Sequence, residues 1–172
     1  MPIDAAKMRR HLVVDTTRLY AILDGALVPD LPMRLYESQL PHYCLLQGQL
    51  DPNLAYVAPH LVYLEPGNEF TESIFDNAGQ SNCGIFIHSR SSMASMHKHF
   101  RALISVMSED GRPLTFRYYD PRVLREFLPS CNTAELVTFF GRSDAFFARD
   151  EEGQGILKFE IEGESLKRSE LN

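Results

Sequence analysis

The chain has no tryptophan and only three cysteines among its 172 residues. Cys44, Cys83 and Cys131 are an odd set with no close pair, so they form neither a disulfide framework nor a CxxC metal knuckle. Free thiols in a reducing compartment are the expectation. No apolar run approaches the roughly 18 residues that a membrane helix needs, so no membrane partner is expected. The opening stretch, MPIDAAKMRRHLVVD, puts charges where a secretory leader carries its apolar core. A cytoplasmic location follows as the expectation. Neither a GxxxxGK[ST] nor a GxGxxG loop is present, and no Gly-x-Ser-x-Gly elbow occurs. Positive charge is in deficit, with 17 Lys and Arg against 23 Asp and Glu. A net charge of −6 argues against a nucleic-acid partner, because phosphate binders carry a basic footprint.

What remains is the composition of an ordinary globular domain, 44% hydrophobic and 23% charged. A chain of this length buries roughly 70% of its unfolded surface, enough to support its own core. Residues 1–17 read as a helical lead-in and 18–150 as the main domain. Residues 151–172 read as an acidic, β-like extension with a frayed end. Leu19 to Leu23 is a buried-strand run closed by Asp24-Gly25. Asp51-Pro52 and Asp120-Pro121 each pair a capping carboxylate with a proline at the first helical position. Residues 91–107 predict the longest helix, with Met93, Met96, Phe100, Leu103 and Met107 on one stripe. Leu114 to Tyr118 predicts a strand, and Pro129 a helix stop. Thr133 to Phe140 predicts a helix ended by Gly141. Alternating strands and helices predict an α/β (α+β) fold, a single compact domain with a mixed central sheet and flanking helices.

Few residues offer chemistry. His97 and His99 lie about 200° apart on a helix and cannot share one ion from it. His97 is expected to border the apolar stripe and His99 to be solvated, and no metal or other cofactor is expected. The most distinctive stretch is Phe116-Arg117-Tyr118-Tyr119-Asp120-Pro121-Arg122-Val123-Leu124. One reading makes it a polar ligand site where a strand ends. The preferred reading is structural: Asp120 caps the helix and accepts from Arg117 or Arg122. Of the pairs Phe139-Phe140 and Phe146-Phe147, one member each should enter the core. The other is free to face a partner protein, as are Met93 and Met96, but core packing of most of these side chains is the preferred reading.

The order of motifs resembles a known family. Residues 20–26 (YAILDGA), 58–62 (APHLV), 84–89 (GIFIHS), 99–101 (HFR), 110–112 (DGR), 116–124 and 139–141 (FFG) follow the blocks of type VI secretion effector chaperones, or adaptors, between about Leu19 and Ala148. The resemblance implies a non-enzymatic, cytoplasmic loading factor that holds a secreted effector by its N-terminal region and helps mount it on the VgrG spike, touching the spike's C-terminal tail. Asp24, Gly25, Arg117, Asp120, Pro121 and Arg122 carry over as signature positions, with no catalytic role. Two features depart from many relatives: there is no helical second lobe, and Asn82-Cys83 stands where tryptophans are common. The competing expectation is a small cytosolic hydrolase or ligand-binding enzyme using Asp24, Asp120, Arg117 or His88 in a cleft.

Overall fold

Strand β1 (Arg18–Leu23) buries five consecutive side chains. A strand alternates its side chains between two faces, so such a run needs an apolar layer on each. The computed structural model, which describes residues 1–172, supplies both. β1 lies inside a seven-stranded sheet in the order β2-β3-β1-β4-β7-β8-β9. The other strands are β2 (His42–Cys44), β3 (His60–Tyr63), β4 (Gly84–Ser89), β7 (Ser143–Arg149), β8 (Ile156–Glu162) and β9 (Ser165–Leu171). The class is mixed α and β, and every neighbouring strand pair is antiparallel.

Helices α1 (Ala5–Leu12), α2 (Leu31–Ser38) and α4 (Glu69–Gln80) cover one face. Their Met8, Leu12, Leu31, Leu35, Ile74 and Phe75 meet Ala21, Leu23, Phe86 and Phe147 of the sheet. Helices α5 (Met93–Ile104), α6 (Pro121–Ser130) and α7 (Thr133–Phe140) cover the other. There Met96, Phe100, Leu124 and Phe139 meet Tyr20, Ile22, Ile87 and Phe146. The short α3 (Pro52–Val57) buries no residue. Helix starts follow local chemistry. Asp51, Asn68, Ser92, Asp120 and Asn132 each accept a backbone N–H with the side chain, and Asn132 with Glu135 closes a capping box.

Three expectations are corrected. The long helix stops at Ile104, and Ser105–Met107 becomes β5, paired with β6 (Pro113–Thr115) in a separate two-stranded ribbon. Met107 therefore leaves the stripe and is exposed. Pairing between Val106 and Leu114 replaces the last helical turn, and Gly111, at φ 76°, makes the intervening turn. Pro129 sits inside the last turn of α6 rather than beyond it, where its missing N–H costs only one bond. The C-terminal end is not frayed: β9 pairs with β8 from Glu162↔Ser165 to Ile156↔Leu171. Phe139, Phe140, Phe146 and Phe147 are all buried, as is Met96, and Met93 is half-buried. Phe146 and Phe147 point to opposite faces, and a helical layer covers each. The four phenylalanines and Met96 are core, the preferred reading, and Met93 packs against that core while still partly exposed.

Candidate functional site

Two features stand out, a charged corner at the carboxyl end of β1 and an apolar groove beside α7. The first is a charged corner. Asp24, nearly fully buried, accepts from the Ala26 backbone N–H at 2.9 Å through Oδ1 and from Arg117 Nη2 at 2.7 Å through Oδ2. These partners lie 93 residues apart in sequence. The hydrogen bond to Asp24 raises the Arg117 guanidinium above its ordinary value, against a smaller opposing effect of burial. Arg117 also lies over the Tyr119 ring at 5.9 Å. Asp120 caps α6 as expected, and its arginine partner is Arg122. Oδ1 accepts from the Arg122 N–H at 2.9 Å and Nε at 3.0 Å, and Oδ2 from Nη2 at 2.7 Å. Burial alone would raise this carboxyl, but the Arg122 hydrogen bonds outweigh it and hold it below its usual range. Pro121 takes the first helical position. The six signature positions thus fasten the β1 turn and the start of α6.

Gly25 is required there by close approach. A Cβ at this position would lie 2.6 Å from Ala58 O and 2.7 Å from Val57 C, both backbone atoms at the end of α3. Gly25→Ala must push that end away. We expect it to cost about 1–3 kcal/mol, read as a melting temperature lower by roughly 2–12 °C.

The histidines are spent elsewhere. Buried His88 bonds the Leu12 carbonyl through Nε2 at 2.7 Å, at the opposite end of the sheet from Asp24, because Leu19 pairs with His88 and Leu23 with Gly84. Of the residues named in the enzyme expectation, Asp24, Arg117 and Asp120 lie at the charged corner and His88 at the other end of the sheet. His97 stacks on Tyr43 at 4.5 Å, bordering the stripe as expected. His99 is half-buried rather than solvated and bonds the Phe139 carbonyl at 2.8 Å. Burial lowers the pKa of both His88 and His60, outweighing their bonds to Leu12 and Ala58 carbonyls. Folding therefore disfavours protonation of both rings, while the unfolded chain takes up their protons below about pH 6.5. Stability should fall as pH drops from 7 to 5, by up to about 1.4 kcal/mol per pH unit for each ring. The depressed Asp120 carboxyl contributes above its unfolded pKa and adds a further loss below about pH 4. Urea midpoints across this range test it, and His88→Gln should flatten the upper part of the slope.

The second feature is a groove of about 460 Å³ beside α7, lined chiefly by apolar side chains. Its lining includes Phe116, Phe127 and Phe139, Leu103 and Val106, and Ala134 and Thr138 of α7. The rings of Phe127 lie 4.7 Å from Phe116 and 5.2 Å from Phe139. Sequence reasoning missed the groove, because it placed Phe116 in a strand and Val106 in a helix.

The sequence pattern of the family described as Domain of unknown function (DUF4123) matches residues 19–137, well over half of the chain. The chain belongs to this family. No curated protein and no solved structure matches it. The DUF4123 span runs from β1 into α7 and so holds both halves of the Asp24–Arg117 corner and the groove lining except Thr138 and Phe139. It leaves out α1 and β7–β9, although β7 supplies Phe146 and Phe147 to the two cores. No helix is long and apolar enough to cross a membrane.

Proposed function

We propose that this DUF4123 chain is a non-enzymatic cytoplasmic adaptor. It binds the N-terminal region of a type VI secretion effector and helps load it onto the VgrG spike, touching the spike's C-terminal tail. The observation that carries this reading is the ordered set of motif blocks from Leu19 to Ala148, seven short segments in the succession of the adaptor family. Two structural facts support it. The charged signature side chains are engaged with one another and with the backbone, a structural use. A chiefly apolar groove is open on the surface, of a size that receives side chains of another molecule.

The test is co-expression of the tagged chain with the products of its neighbouring effector and spike genes, followed by size-exclusion chromatography. A complex with one effector that persists through the column is the expected result. An adaptor role is ruled out if the chain elutes alone beside every neighbouring product.

A further inference from the structure

The two edges of the main sheet are unlike. β2, at one edge, is three residues long, whereas β9, at the other, is seven and pairs with β8 without a break in register. Proteins blunt a long edge with proline, a bulge, a covering element or charge. β9 has no proline and no bulge, and its charges are of both signs. The hairpin geometry fixes which backbone groups face outward. β8 and β9 are joined by Gly163-Glu164, a two-residue turn with φ 64° at Gly163 that closes on Glu162↔Ser165. Such a closing pair exchanges both ladder bonds, and bonded and unbonded pairs then alternate along the strands. Ser165, Lys167, Ser169 and Leu171 therefore turn their N–H and C=O to β8, while Leu166, Arg168 and Glu170 turn theirs outward. No turn or loop backbone group engages those three. Arg168 and Glu170 share one sheet face, opposite Phe159 and Leu157. Their side chains are 44% and 67% exposed and lie 4.0 Å apart, the outer limit of an ion pair.

We infer that β9 pairs antiparallel with β9 of a second copy of this chain, about a two-fold axis at Ser169, so that Arg168 of each copy faces Glu170 of the other. In a two-fold antiparallel pair, the numbers of opposing residues have a constant sum, and outward backbone groups must meet outward ones. Centring on Ser169 meets both conditions. It sets Arg168 opposite Glu170 twice, each pair also joined through the backbone, and the four charges alternate in sign around the axis. Centring on Lys167, Arg168 or Glu170 instead brings that residue against its own copy, and like charges directly opposite destabilise a pair. Charge thus selects one register, and a second copy is the one partner certain to carry its complement. Pairing joins two seven-stranded sheets into one, and open sheets of roughly 8–15 strands are known. Because the axis is perpendicular to the sheet, both copies carry the α5–α7 layer, and with it the groove, on the same side. The inference does not depend on the adaptor reading.

The test is sedimentation velocity of the purified full chain across a concentration series. A monomer–dimer equilibrium is the expected result. Arg168→Glu and Glu170→Arg should each weaken it roughly tenfold, since either turns two attractive cross-strand pairs into repulsive ones. The double variant, Arg168→Glu with Glu170→Arg, should restore it. Urea midpoints should barely move in all three, because neither side chain is buried. Cysteine scanning reads the register. Ser169→Cys should give a disulfide-linked dimer under mild oxidation, because the Cα atoms of an unbonded pair lie about 4.5 Å apart, within disulfide reach. Lys167→Cys, set against Leu171 of the other copy, should add no link beyond that of the wild type. A chain that is monomeric at every concentration overturns the inference. So does a dimer that ignores both charge reversals, or one that links through Lys167→Cys and not through Ser169→Cys. A folded double variant that stays monomeric overturns the pairing of Arg168 with Glu170.

Discussion

Phe146→Ala should lower the free energy of unfolding by about 3–5 kcal/mol. In a chain of this size that corresponds to a fall in melting temperature of roughly 6–20 °C. Phe146 is fully buried at the middle of β7, beneath the second helical layer. Its ring meets those of Phe140 at 4.9 Å, Phe139 at 5.0 Å and Phe100 at 6.1 Å. Two of these contacts are edge-to-face, the arrangement favoured by ring quadrupoles. Truncation removes the transfer energy of the ring and leaves a cavity walled by three aromatic side chains from α5 and α7. Helices cannot collapse into such a space without losing their own packing, so the cost falls in the upper range for a core site. Val137→Ala, on the exposed side of α7, should stay within about 0.5 kcal/mol. Urea denaturation of both variants at constant m-value is the measurement. Equal losses would mean that α7 is not packed on β7 as described.

Arg117→Ala should cost about 1.5–3 kcal/mol at pH 7, the range for hydrogen bonds to charged groups. A fully buried ion pair broken on one side costs more, about 3–5 kcal/mol, but half of the Arg117 side chain is exposed and its bond is partly screened. The loss arises mainly at the other partner, since the Asp24 side chain is only 3% exposed and keeps just the Ala26 N–H. Asp24→Asn should therefore cost less than Arg117→Ala, because a neutral amide still accepts from Ala26 and leaves an exposed guanidinium to water. In the Asp24→Asn background, Arg117→Ala should lose most of its effect. A double-mutant cycle measures this coupling. Additive losses would show that no carboxylate had been stranded, and the corner would then owe its geometry to Gly25 and Pro121 instead.

How much of this was legible in the sequence depended on distance along the chain. The Asp51-Pro52 and Asp120-Pro121 starts, and the Gly141 stop, involve atoms within a few residues, and they stand where the sequence placed them. Partners far apart left no local mark. Asp120 was expected to take Arg117 or Arg122; it takes Arg122, and Arg117 reaches Asp24 instead, a choice set by the whole sheet. β9 hid for a related reason. Its Lys167, Arg168 and Glu170 break the apolar alternation that signals a strand, because an edge strand is held by backbone pairing and tolerates charge. The ribbon was missed because Met107 continues the 3-4 spacing of α5 beyond the point where the helix ends. The buried status of all four paired phenylalanines also needed tertiary knowledge: adjacent strand residues face opposite ways, and only a sheet covered on both sides hides both.

The two helical layers also divide the chain by order of synthesis. Helices α1, α2 and α4, which cover one face, are complete by Gln80, and β4 follows at once. Four strands, β1 to β4, are then available with one side clothed. The other side, carrying Tyr20, Ile22, Leu61, Ile85 and Ile87, stays bare until residues 93–140 have been made. At about 5–20 residues per second that interval lasts roughly 2–10 s. For those seconds the nascent chain presents an open apolar sheet to the crowded surroundings of the ribosome. A holdase would have its best opportunity to bind then, and a stalled or truncated product ending near residue 90 should be far more prone to aggregate than the finished molecule.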